Sequence, residues 1–450
     1  SMKKVLSLIL AAVCVCCGLA FAGCGGSSAK LRVINFRPED KEFYDWFCAE
    51  FTRETGIQVV YEAVGTEGYG NLLNSRIKGR AVDVIGAQSA NVLSKELSDA
   101  MLPLNDLQYH DGTNLWDNLR DSSKAQVKLG DNYLVATLND VDILVYYKKD
   151  MVDEAGLGVT YANHAYPTTW GEFETTVYAL KMKYGAQLDG IFAFGGAESW
   201  PMSMINSAVE AATVYAPDNE FYLKMALGTP GYDFGHDLYR DCFAKTQNIC
   251  EFVNNNDKGV SYTRQPSNFA TKNYPMMIDG SWSYRTVVAA DAALKDSGKL
   301  GFFPLPANDG AAYNGFVSAK GGAGFSIVKD SQKAAEAKKF IEYHFKPEAY
   351  QKYIDFVCSA PTVKGVELTD ALAASMFAFP SVVTFENRWI PGIEGVNAFR
   401  EIGFSFVGAG GGTVQKAVDQ MNDSYNKSAW TTAAALQDWF DMFFPGQGRG

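Results

Sequence analysis

Between residues 31 and 100 the chain alternates short apolar runs with helical ones three times, and this alternation restricts the fold more than any other feature. Residues 31–36 (Leu-Arg-Val-Ile-Asn-Phe) read as a strand. After the Pro38-Glu39-Asp40 turn, Phe43, Phe47 and Phe51 recur every four positions, the spacing of one helix face, and Gly56 marks the stop. Residues 57–61 and 82–85 are two further strands. Each precedes a helix, the first entered through the glycine-rich turn at 65–70 and the second beyond Gln88-Ser89. Such alternation calls for a mainly parallel sheet with helices on both faces. Ligands of these sheets bind beyond the carboxyl ends of the strands. The loops at those ends carry Arg37, Glu67 with Tyr69, and Gln88.

One sheet of this kind does not use 450 residues, so a second lobe is expected. The N-terminus locates the chain. Lys3 and Lys4 precede a charge-free run from residue 5 to residue 22, which ends in Phe21-Ala22-Gly23-Cys24 and a Gly-Gly-Ser-Ser spacer. This pattern resembles a bacterial lipoprotein signal in which Cys24 takes the lipid. The competing reading is an uncleaved membrane anchor. Both put the rest of the chain outside the cytoplasmic membrane. The net charge of −11 becomes more negative once the two leader lysines are gone. It argues against a nucleic-acid partner, whose phosphates demand lysine and arginine. Of the cysteines beyond Cys24, Cys48 reads as a core residue. Cys242 and Cys250 are near enough in sequence to pair in an oxidising compartment, but spacing does not fix connectivity.

Two strand ends carry aromatic side chains among small residues. Met276-Met277-Ile278-Asp279-Gly280-Ser281-Trp282-Ser283-Tyr284 runs from an apolar strand into an indole and a phenol. Residues 191–201 repeat the arrangement, from Ile191-Phe192-Ala193-Phe194 into Gly195-Gly196-Ala197-Glu198-Ser199-Trp200. Residues 133–137 and 141–147 look like an extended pair spanning Asn139-Asp140. Trp170 follows Thr168-Thr169 and precedes Glu172, as at a capped helix start, which makes it structural. Arg388-Trp389 sits in an aromatic, loop-like stretch and is a further candidate for the cleft.

Motifs for catalysis are missing: there is no Gly-x-Ser-x-Gly elbow, no phosphate-binding loop, and no His-Glu-x-x-His. The four histidines are not spaced to share a metal. The asparagine-rich turn at 254–259 has Lys258 at a calcium-ligand position. The glycine run at 408–412 lacks the third glycine of a dinucleotide fingerprint. No cofactor and no metal are expected. Paired carboxylates of a secreted glycoside hydrolase leave no trace in sequence spacing, so that class remains an alternative. A lipid-anchored adhesin is another.

Six motifs occur in order across nearly the whole mature chain: Tyr146-Tyr147-Lys148-Lys149-Asp150 through Ala155-Gly156-Leu157; Pro167 with Thr169-Trp170 and Glu172-Phe173; Asp279-Gly280-Ser281-Trp282; the glycine-rich strand 321–327; the helix 333–345; and the Ser359-Ala360-Pro361-Thr362 turn. Together they resemble the extracellular solute-binding proteins of carbohydrate ABC transporters, of which maltose-binding protein is a distant member. The resemblance implies an α/β fold of two periplasmic-binding-protein-like lobes, each a mainly parallel sheet flanked by helices, with the ligand in the cleft between them. It also implies that the chain passes between lobes more than once. Our expected boundaries are 1–23 for the signal peptide and 24–30 for a flexible tether. The first lobe is expected at 31–141 plus 286–330 and the second at 142–285 plus 331–450.

The expected ligand is a carbohydrate, an oligosaccharide rather than a monosaccharide, captured by hinge closure and handed to membrane permease subunits by a monomer that is itself no enzyme. Sugars ask for flat aromatic faces and for planar polar side chains that pair with vicinal hydroxyls. The expected stacking residues are Trp282, Trp200 and Tyr69, with Tyr284 behind them. Arg37, Glu67, Gln88, Asn139 and Asp279 are expected to meet hydroxyls.

Overall fold

The helix face of Phe43, Phe47 and Phe51 decides where the first lobe has its core. The computed structural model describes residues 30–89, 95–162, 164–385, 393–408 and 410–427. In it β1 (Leu31–Asn35) leads into α1 (Lys41–Thr55), whose three phenylalanines are all buried. Gly56 closes α1 at φ 73°, a left-handed geometry that costs a Cβ-bearing residue but not glycine. Next come β2 (Val59–Ala63), α2 (Thr66–Lys78) and β3 (Val84–Gln88). β1 pairs in parallel with both β2 and β3, as the alternation requires.

The chain then crosses. β4 (Ala136–Thr137) joins the first sheet, and after Leu138 alone β5 (Asn139–Lys148) opens a second one. The extended pair expected around Asn139-Asp140 is therefore not a hairpin but two strands of different lobes. Beyond α3 (Trp170–Tyr184), α4 (Asp237–Cys250) and α5 (Gln265–Thr271) come β6 (Met276–Gly280), α6 (Tyr284–Ala290), β7 (Leu300–Phe303) and β8 (Val317–Gly321). All three of these strands pair antiparallel with β5. β9 (Ala323–Ile327) returns to the first sheet between β3 and β4. Helices α7 (Ala334–His344) and α8 (Pro347–Val357) follow, and β10 (Ala360–Pro361) pairs with the first two residues of β5. Near the C-terminus α9 (Ile393–Phe406) and α10 (Val414–Lys427) flank the second lobe.

β5 shows why the second sheet is covered on both faces. Ile143, Val145 and Tyr147 point into the larger core, and Leu144 and Tyr146 into a smaller one on the opposite side, the period of two that a strand imposes. The third core is that of the first lobe. It includes Ala337, Phe340 and Ile341 of α7 and Tyr350, Tyr353 and Ile354 of α8. The lobes therefore divide differently from our expected boundaries. Residues 331–357 pack with the first lobe, whereas β7 and β8, inside the expected 286–330, sit with the second. Pairing partners set a strand's lobe, and no local pattern carries that information.

The crossing segments are bonded to one another. Gly322 N–H donates to the Asn139 carbonyl at 2.8 Å, and Ala323 N–H donates to Asn139 Oδ1 at 2.9 Å. The Tyr350 hydroxyl donates to the Leu138 carbonyl at 2.8 Å. A Cβ on Gly322 would stand 2.6 Å from the Asn139 amide nitrogen, so the strands approach here as only glycine allows. Trp170 is buried behind the expected cap: Thr169 and Glu172 form a capping box. Cys242 and Cys250 lie eight residues apart on α4, about 12 Å along its axis, and are free, as are Cys48 and Cys358. That span exceeds what a disulfide bridges. Of residues 191–194 only Phe192 makes β-bridges, to Val253 and to Met276, so the second aromatic strand end is one bridging residue and not a strand. Cys24, Arg388 and Trp389 lie outside the described residues.

Candidate ligand-binding site

β6 ends at Gly280, and the single turn Ser281–Ser283 swings Trp282 back over it. A Cβ on Gly280 would lie 2.1 Å from the indole ring, so a glycine must stand there for the ring to lie flat on the strand end. The indole N–H donates to the Tyr262 hydroxyl at 2.6 Å. Trp200 reaches the same phenol from the loop after Phe194. Its ring meets Tyr262 edge-on at 4.2 Å and stands 6.5 Å from Trp282. All three rings are partly buried against the larger second-lobe core. Lys320 of β8 holds its ammonium 5.2 Å from the Trp282 ring centre, a cation over the π face.

Asp279 lies beneath this group, completely buried. Its Oδ1 accepts from the Gly280 N–H at 2.7 Å and from the Tyr262 hydroxyl at 3.1 Å. Its Oδ2 accepts from the Gln265 amide at 3.0 Å. Burial pushes its pKa up to about 7, and these hydrogen bonds pull against that rise. Asp279 supports the aromatic residues from below instead of offering a free carboxylate to the cleft. Glu198 does similar work at the edge, accepting from the Tyr262 N–H at 2.7 Å and the Ser261 hydroxyl at 2.9 Å.

The remaining expected residues do not gather here. Tyr284 is buried in the smaller core on the other face of the sheet, and its hydroxyl donates to Asp370 at 2.7 Å. It does not stand behind the tryptophans. Tyr69 is buried in the first lobe, with its hydroxyl donating to the Gly86 carbonyl at 2.7 Å. That bond ties α2 to the end of β3 and leaves no stacking face exposed. Arg37 is taken up by Asp40 at 2.5 Å and Glu39 at 3.4 Å. Asn139 is buried in the crossing already described. Gln88 ends β3, half-buried, opposite Ala323. Glu67 falls in the first turn of α2, and its side chain lies outside the described residues.

The lobes also touch three residues past Trp282. Arg285 of α6 donates to the Glu39 carbonyl at 2.7 Å and lays its guanidinium 4.0 Å from the Phe356 ring centre of α8. Two concavities lie away from the crossing, one lined by Lys148, Asp150 and Lys299 and the other by Arg32, Asp83 and Lys333. Lys148 is nine residues along β5 from Asn139, about 30 Å, and neither concavity contains a tryptophan. Sequence reasoning missed Tyr262 and Lys320. Tyr262 lies between the asparagine-rich turn at 254–259 and α5, and no spacing links it to residues 200 or 282.

Residues 35–351 match the model of the bacterial extracellular solute-binding protein family, and the chain belongs to that family. Its fold is similar to that of a chitin oligosaccharide binding protein, with a TM-score of 0.74 and 19% identity over 90% of this chain and 99% of the other. It is also similar to the solute-binding protein RafE in complex with raffinose, with a TM-score of 0.71 and 20% identity over 89% and 99%. A third similar structure is the sugar transporter BL01359 from Bacillus licheniformis in complex with stachyose, with a TM-score of 0.68 and 14% identity over 88% and 99%. At such identities these likenesses speak for the two-lobe fold. A search of curated protein sequences gave no match.

Proposed function

We propose that this protein binds an oligosaccharide outside the cell and delivers it to the permease of an ABC importer. The observation that carries this reading is the pair of partly buried tryptophans, Trp200 and Trp282, held at 6.5 Å on one face of the second lobe. Flat indoles suit the C–H-rich faces of sugar rings. The relatives in fold include proteins described with raffinose, stachyose and chitin oligosaccharide, which supports a carbohydrate of more than one unit.

Capture proceeds by hinge closure about the bonded strands at Leu138–Asn139 and Gly321–Ala323, with ligand contacts to both lobes favouring the closed state. Trp200 and Trp282 provide the stacking faces and Lys320 a polar contact beside them. Gln88 at the end of β3 and Glu67 in the first turn of α2 are the groups we propose to close on the ligand. The protein works as a monomer, holds no cofactor, cleaves nothing, and is tethered by lipid on Cys24 to the outer face of the cytoplasmic membrane. Among the described residues no helix is long and apolar enough to cross a membrane.

A thermal-shift screen against chito-oligosaccharides, raffinose, stachyose and malto-oligosaccharides tests the reading. At a hundred times its dissociation constant a ligand adds about 2.7 kcal/mol of stability. Chromatography of the same wells shows whether the glycan stays intact. A shift with cleavage products would replace this reading with a glycoside hydrolase, and no shift with any glycan would favour an adhesin.

A further inference from the structure

Tyr262 touches both tryptophans and the buried acid beneath them. Its hydroxyl accepts from Trp282 Nε1 at 2.6 Å and has Asp279 Oδ1 at 3.1 Å and Ser283 Oγ at 3.0 Å. Its ring packs edge-on against Trp200. The backbone around it is fixed to the loop that carries Trp200. Gly196 N–H donates to the Asp257 carbonyl, and Ala197 N–H to the Val260 carbonyl, both at 3.0 Å. A Cβ on Gly195 would meet Tyr262 Cα at 2.6 Å, so the two segments are pressed together with no room for a side chain between them.

We propose that Tyr262 is the positioning residue of the sugar site, its hydroxyl and ring setting the angle between Trp282 and Trp200 before any ligand arrives. The inference rests on the sugar-binding reading above and extends it. A phenol has one proton to give. With Trp282 donating into its oxygen, that proton goes to Asp279 or Ser283, and the indole orientation is thereby tied to the buried carboxyl. Two preset faces bind a rigid glycan better than two free ones, because no side-chain freedom is lost on binding.

The link to Asp279 supplies a diagnostic that simple packing lacks. Asp279 is pushed up to about 7 by burial, and the groups facing it are Tyr262, Gln265 of α5, Ser283, the Gly280 N–H and Tyr146 of β5. Lys320 holds its ammonium 5.2 Å from the indole ring centre. Titration of Asp279 reaches Trp282 through the Tyr262 hydroxyl.

The test follows the indole N–H resonances of the 15N-labelled full chain from pH 5.5 to 8.5, with the Trp282 signal assigned by Trp282→Phe. In the wild type this resonance is expected downfield, moving with a midpoint near pH 7. In Tyr262→Phe, which keeps the ring and removes the hydroxyl, it is expected to lose both the offset and the pH response. Titration with raffinose and chitotetraose is expected to show binding weakened about tenfold in Tyr262→Phe, the scale of one lost hydrogen bond. A wild-type indole resonance that ignores pH, or a Tyr262→Phe variant of unchanged affinity and unchanged resonance, overturns the proposal. The wild-type titration stands even if the variant folds poorly. If no glycan binds the wild type, the sugar reading falls, and the resonance still decides whether Tyr262 positions Trp282.

Discussion

The two lobes are built from the same strand–helix grammar but differ in how they accommodate buried carboxyls. In the first lobe the buried acids are paired: Asp40 with Arg37, and Asp83 with Arg32 through two contacts of 2.9 and 3.0 Å. Its buried imidazole, His344, is stacked on Phe47 at 3.8 Å with no hydrogen-bond partner at either ring nitrogen, and burial holds it well below its ordinary pKa. In the second lobe burial pushes the carboxyls up, Asp279 to about 7, Asp142 to about 8 with Asp140 adding to the rise, and Asp140 itself to about 6.

The signs of linkage follow. His344 stays neutral in the folded state while the unfolded chain takes a proton below about 6.5, so the first lobe loses stability as pH falls through that value. The second-lobe acids stay protonated in the folded state after the unfolded chain has released its protons. Their contribution is full below about 4 and is lost as pH rises through the folded values of about 6 to 8. The first lobe thus uses its strand-end charges to hold itself together. The second holds two indoles over a buried acid, which is why we assign it the capturing role.

The join between the lobes is where both are broken together. Gly322→Ala forces a Cβ against Asn139 and is expected to cost on the order of 3 kcal/mol of unfolding free energy, read by urea denaturation. An unchanged midpoint would mean that the crossing relaxes freely. Within the site, Trp282→Ala is expected to weaken glycan binding by about 2 kcal/mol with the fold intact, measured by titration calorimetry. Gln88→Ala in the first lobe should cost less than half of that. Equal losses would abolish the asymmetry we draw.

The pH comparison is sharpened by one variant on each side. Replacing the first-lobe imidazole, His344→Leu, should remove about 1–2 kcal/mol of the stability difference between pH 7.5 and pH 5. A difference that persists would assign the acid sensitivity elsewhere. Asp142→Asn should stabilise the protein more at pH 8 than at pH 4, by several kcal/mol, because the wild-type carboxyl is held protonated up to about 8. An equal effect at the two pH values would show that Asp142 ionises freely in the folded protein.

The local patterns carried much of this. The phenylalanine repeat of α1, the Thr169–Glu172 cap and the Met276–Gly280 strand are each set by residues close in sequence, so spacing alone reveals them. The ordered motifs, likewise linear, pointed to the family. Lobe membership was not legible: α7 and α8 pack on the first core because β9 carries the chain back there, and pairing between residues far apart leaves no local mark.

The site divided along the same line. The sequence by itself singled out Trp282 and Trp200 as indoles at glycine-rich strand ends. Only the tertiary structure decided that Tyr262 joins them, that Asp279 supports them from below, and that Tyr284 and Tyr69 turn away into cores. The physical reason is that propensity and periodicity act over a few residues. The direction in which a side chain at a strand end points is settled by whichever distant donor, ring or glycine the fold brings to meet it.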